Sequence, residues 1–160
     1  MMRPEVVVNA AHLHLALNHI PVVGAGLGTV LLILGLLLKR NEWIKASWAV
    51  FIIAALIAIP TYFSGNEAEE LVEDMAGISE PLIESHAEIG FYALLAVESL
   101  GSLALLAWIV SRKRGMVPLL TNLTLVLSFF TAALLGYTAN LGGMIRHPEI
   151  RPGFTEPAER

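Results

Sequence analysis

The chemistry open to this chain rests on five histidines, His12, His14, His19, His86 and His147, in a sequence without cysteine. Neutral imidazole binds haem iron, copper, zinc and non-haem iron. The lack of cysteine excludes thiolate zinc and iron–sulfur sites, a disulfide framework and covalent c-type haem. Two imidazoles on facing helices are what a b-type haem needs, and His19 and His86 are the first choice of axial ligands, with His14 or His147 as substitutes. Arg146 is a candidate counter-ion for a haem propionate. A mixed set of His14, His19, His86, Glu84 and His147 would instead suit a non-haem iron, copper or zinc ion. Glu84-Ser-His86 lacks the three-residue offset of the Glu-x-x-His pairs that build carboxylate-bridged metal sites in bundles.

The elements that must position these residues are helices in lipid. Of 160 residues, 56% are hydrophobic and 15% charged, against about 25% charged in a typical soluble domain. Apolar runs cover roughly 15–38, 44–63, 89–110 and 116–141. Each holds the approximately 20 residues needed to cross the hydrocarbon as a helix, and a lone strand there would leave its backbone unpaired. The first inter-helix loop, KRNEWIK, carries Lys39, Arg40 and Lys45, and the third, SRKRG, carries Arg112, Lys113 and Arg114. The positive-inside rule makes both cytoplasmic. The termini, the acidic second loop with Glu67, Glu69, Glu70, Glu73 and Asp74, and every histidine then fall on the non-cytoplasmic side. Trp43, Trp48 and Trp108 mark the cytoplasmic boundary, and Tyr62, Tyr92 and Tyr137 the other. Short loops give an all-α, up-down four-helix bundle over 1–143 and a polar tail over 144–160. The N-terminus lacks the basic region and apolar core of a cleavable signal peptide. No basic patch large enough for nucleic acid is present.

Gly24 and Gly28 form a small-x-x-x-small pair for close helix packing. GAGLG lies inside a span and lacks nucleotide-loop spacing. Pro21 removes one amide and frees the carbonyl of Leu17, so the first helix should kink there, and Pro60 should act likewise in the second. A short amphipathic helix is expected over 67–75, and Ser79-Glu80-Pro81 starts the third long helix. The tail is expected to be extended. Glu98 sits in mid-span, where an ionisable side chain costs several kcal/mol. It is a candidate proton station or quinone neighbour; the structural alternative is a protonated carboxyl bonded to Ser102, Thr29, Ser128 or Thr131. Asn18 and Asn140 could orient imidazoles or serve as interhelical glue.

Several motifs carry a family resemblance. HLALNHIPVVG resembles the H-P-x-x-x-H-F-P opening of an uncharacterised family of small prokaryotic membrane proteins, known as a domain of unknown function of the 2231 type. His14, His19 and Pro21 match its spacing, and Leu15 departs from its proline. SGNEAEE resembles that family's turn after the second helix. ESHAEIGFYA matches its third-helix start at His86 and Gly90, and LGGMIRHPEI its Gly-Gly ending at Gly142 and Gly143. The resemblance implies a four-helix bundle with a histidine-rich outer face, and redox modules beside some relatives imply haem or metal.

The sequence therefore leads to a multi-pass protein of the inner (plasma) membrane. The expected function is electron transfer by b-type haem near the outer face, between a quinone and an outer redox partner. A non-haem metal protein and an accessory subunit of a larger membrane complex stand as alternatives, and a homo-oligomer is compatible with either. Whether the chain is an enzyme is left open.

Overall fold

A computed structural model describes residues 8–73 and 75–155. Asp74, in the stretch expected to form a short outer helix, and 156–160 of the tail lie outside the described residues, as do 1–7. The described chain is helical throughout, with no strand. Its helices are α1 (Ala10–Leu17), α2 (His19–Leu37), α3 (Asn41–Val72), α4 (Glu80–Arg114) and α5 (Pro118–Arg146), followed by a 3-10 turn at Pro148–Ile150. With α1 and α2 counted as one rod, Ala10–Leu37, four helices are long and apolar enough to span a membrane.

The break between α1 and α2 falls at Asn18, whose φ of −59° and ψ of −28° remain helical. Pro21 lies three residues on and has no amide to bond Leu17, so the ladder is interrupted without reversing the chain. Along this rod α1 packs on α3, as α2 does. Pro60 lies inside α3, which is continuous from Asn41 to Val72. The acidic stretch 67–72 is the last part of α3 rather than a separate helix. Glutamates are good helix formers, and nothing before Val72 stops the helix. At 32 and 35 residues, α3 and α4 reach roughly 50 Å and must project beyond a hydrocarbon layer about 30 Å thick.

Small residues set the interhelical spacing. Toward the histidine end the core is Ala25, Ala54, Ala55, Ala58, Ala93, Val97 and Leu135. Toward the basic end it is Leu32, Ile44, Trp48, Phe51, Leu100, Ala104 and Ala107. The Gly24–Gly28 pair faces α3, with Gly24 against Ala54 and Gly28 against the Phe51 ring. Trp48 is fully buried and so belongs to the core rather than to an aromatic belt. Buried hydroxyls are bonded to carbonyls. Thr29 donates to Ala25 O at 2.7 Å, Ser47 to Ile44 O at 2.7 Å and Thr124 to Leu120 O at 2.8 Å. Thr131 crosses from α5 to Ala96 O of α4 at 3.4 Å.

The first residues of the tail fold back on the bundle. Arg151 donates from Nε to Met144 O at 2.8 Å and from Nη2 to Ile145 O at 2.8 Å and Gly77 O at 3.3 Å. It thereby caps two carbonyls that the end of α5 leaves without helical partners and ties them to the α3–α4 loop. Arg151→Ala should speed hydrogen exchange over 144–151 by about tenfold, the loss of roughly one charge-assisted bond, while exchange in mid-α5 stays unchanged.

Candidate functional site

Two of the five histidines meet. His14 on α1 and His86 on α4 lie with ring centres 6.2 Å apart and ring planes at 87°. His14 directs Nδ1 to Thr61 O of α3 at 2.9 Å, and His86 directs Nδ1 to Thr138 O of α5 at 3.0 Å. A carbonyl only accepts, so Nδ1 must carry the proton in both rings. In the neutral ring Nε2 then presents a lone pair, the tautomer required of a ligand that binds through Nε2.

A glycine stands four residues beyond each threonine, one helical turn along. A Cβ on Gly65 would come within 2.9 Å of His14 Nδ1 and Cε1, and one on Gly142 within 3.0 Å of His86 Cε1. Each imidazole thus rests in a cradle made of a backbone carbonyl and a missing side chain. The unit appears twice, as His14 on Thr61-Tyr-Phe-Ser-Gly65 and as His86 on Thr138-Ala-Asn-Leu-Gly142. In each half the first helix carries the imidazole and the second carries Thr-x-x-x-Gly. Thr61 and Thr138 each lie twenty residues past the first residue of their helix, Asn41 and Pro118. That rise is about 30 Å, so the site sits near the rim of the hydrocarbon opposite the basic loops. The repeated basic loop in the two halves is legible in sequence; the repeated Thr-x-x-x-Gly is the signal that would have singled out His14.

The other candidates lie apart from this pair. His19, in the first turn of α2, is exposed, and it is His14 that meets His86. His12 is exposed and contacts Asn9 Oδ1 through Nδ1 at 2.8 Å. His147 is exposed and pairs with Glu149 at 2.8 Å. Glu149 is held below the usual carboxylate range, first by its own backbone amide and then by the His147 imidazole. Glu84 and Arg146 are exposed. Among the described residues no three histidine, aspartate or glutamate side chains are grouped to hold a metal ion. Of the five donors expected for a non-haem ion, only His14 and His86 are brought together.

Two polar atoms near the middle and the histidine end of the bundle are buried without hydrogen-bond partners, Asn18 Oδ1 and Glu98 Oε1. Asn18 lies one turn beyond His14, and its backbone N–H donates to His14 O at 2.9 Å. Thr29 and Ser128 bond carbonyls of their own helices and Thr131 bonds Ala96 O, so none of them satisfies the Glu98 carboxyl. Asn140, the other asparagine expected near the imidazoles, is exposed on α5. No family model matches this chain, and no curated protein or solved structure does.

Proposed function

We propose that the chain is a membrane b-type haem protein for electron transfer, in which His14 and His86 would hold the haem. The observation that carries this reading is the pairing of two Nδ1-protonated imidazoles from separate halves of the bundle, 6.2 Å between ring centres. Two imidazoles that share one metal at about 2.0 Å per bond have ring centres roughly 5–6 Å apart. Porphyrin supplies four nitrogens of its own, so haem asks the protein for two donors, whereas a structural zinc ion takes four and a catalytic one about three. A set of two therefore favours haem over the non-haem alternative. The motifs that resemble the 2231-type family include both paired histidines and Gly142.

When bound, haem would supply a one-electron couple. The chain's own residues hold the imidazoles. Thr61 O and Thr138 O fix the tautomer and raise the basicity of Nε2. Gly65 and Gly142 admit the rings to those carbonyls. Arg146, exposed one turn beyond Gly142, is the nearest candidate on α5 for a propionate. Glu98, inside the span, is the candidate for a proton station or quinone neighbour. By the positive-inside rule the pair faces the outer side of the inner membrane, which is where an outer redox partner would dock.

The test is an optical spectrum with elemental analysis of protein purified in detergent from haem-replete cells. A Soret band with the sharp reduced visible bands of six-coordinate, low-spin iron, at one iron per chain, is the expected result. Protein without a Soret band after haem reconstitution overturns the reading, and stoichiometric copper or zinc in its place would establish the non-haem one.

A further inference from the structure

A second feature lies at the opposite end of the bundle and is independent of what the histidine pair binds. Between α3 and α4 an open groove runs toward the basic loops. Its upper part, about 220 Å³, is lined by Ala49, Ile52 and Ile53 of α3 and Leu105 and Trp108 of α4. A larger space of about 620 Å³ adjoins it along α4, bounded by Leu105, Trp108, Ile109, Arg112 and Lys113. Leu105 and Trp108 line both, so the α3–α4 groove and the cationic face of α4 share a wall.

Arg112 and Lys113 are exposed and, among the described residues, take part in no ion pair. Two cations without carboxylate partners therefore stand at the mouth of an apolar trough. From Leu105 to Lys113 is eight residues, a rise of about 12 Å, against roughly 15 Å for half the hydrocarbon layer. Trp108 stands between the apolar floor and the cations, at the depth where its ring favours the headgroup boundary. Length, apolar lining and charge match one occupant: a glycerophospholipid with an acyl chain in the trough and a negative headgroup on Arg112 and Lys113.

We infer that the α3–α4 groove is a binding site for one anionic phospholipid of the leaflet that contacts the basic loops. A zwitterionic lipid carries its own compensating cation and meets Arg112 and Lys113 with less net attraction. Free phosphate has no chain for Leu105 and Trp108. The lipid would fill the seam between the two halves of the chain, since α3 closes the first hairpin and α4 opens the second.

The test uses the full chain in detergent micelles, titrated with dioleoyl phosphatidylglycerol or dioleoyl phosphatidylcholine and read by native mass spectrometry. One phosphatidylglycerol per chain should be retained at a concentration about tenfold below that for phosphatidylcholine, on the scale expected for two cations near a headgroup. R112Q/K113Q should remove that preference. K39Q/R40Q, with the same charge loss in the other basic loop, should keep it. Leu105→Trp, which fills the trough and spares the cations, should weaken phosphatidylglycerol retention. Equal retention of the two lipids overturns the inference, as does equal loss in the two charge variants, no effect of Leu105→Trp, or full displacement of the lipid by inorganic phosphate.

Discussion

His14→Ala and His86→Ala should each abolish the six-coordinate, low-spin haem spectrum, and Gly65→Leu and Gly142→Leu should do nearly the same with both histidines intact. The reasoning runs through the cradles. The first side-chain atom at Gly65 would lie 2.9 Å from His14 Nδ1 and Cε1, and that at Gly142 3.0 Å from His86 Cε1. A leucine must push the ring off its carbonyl, which takes away the acceptor that holds the proton on Nδ1. Loss of a group that orients a metal-bound histidine lowers metal affinity by about 10- to 100-fold, and displacement of the ring adds to that. The expected readout is haem retention at least tenfold weaker than in the unaltered protein. Nitrogen-15 spectra of the cofactor-free protein separate position from folding. The unaltered chain should show Nδ1-protonated rings for His14 and His86, and Gly142→Leu should change the His86 signal alone. Gly136→Leu is the control, because a Cβ there meets nothing within 4 Å. Full haem binding in Gly142→Leu with a displaced His86 ring would eliminate that ring as a ligand.

The four spans are legible in sequence because lipid imposes a single rule. About 20 apolar residues in a row have no folded solution there other than a helix. The rule is silent beyond the hydrocarbon, which is where the expectations slip. α3 carries six residues of the acidic loop, 67–72, as helix because glutamate favours helix in water as well. Trp48 looks like a boundary residue by position, yet it is fully buried against α2 and α4 neighbours. A tryptophan's depth follows from its place in the sequence, but its face depends on neighbours that only the packed bundle defines.

The histidine pair was half legible. His86 stands out as the lone histidine of its helix, whereas the first helix offers three. A straight helix puts His12 and His19 on one face, seven residues apart. In the structure it is His14, not either of these, that reaches a partner on another helix, the carbonyl of Thr61 on α3. That partner is a main-chain atom, and Gly65 contributes by having no side chain. Neither leaves a chemical signature in the sequence, apart from the repetition of Thr-x-x-x-Gly at corresponding places in α3 and α5.

The same argument from missing side chains predicts the largest losses of stability. Gly28→Ala should destabilise the bundle by about 2–3 kcal/mol, in the range for overpacked cores, because its Cβ would enter the space of the Phe51 ring. Phe51 is fully buried, so its ring can move only by displacing neighbours. Gly101→Ala should cost as much for a different reason, since its Cβ would lie 2.5 Å from Ala55 Cβ and 3.3 Å from the backbone oxygen of Phe51. Relief there requires α3 and α4 to move apart. The two can be told apart by compensation. Phe51→Leu should recover part of the loss in Gly28→Ala, with a coupling of at least ~1 kcal/mol, and recover nothing in Gly101→Ala, where the obstacle is a methyl group and backbone. Gly26→Ala, with no atom within 4 Å of the added carbon, should be neutral or stabilising by about 0.5 kcal/mol through helix propensity. Reversible unfolding of the detergent-solubilised chain by a denaturing detergent reads all six variants on one scale. If Gly28→Ala proves as harmless as Gly26→Ala, then α2 does not pack on α3 at this depth.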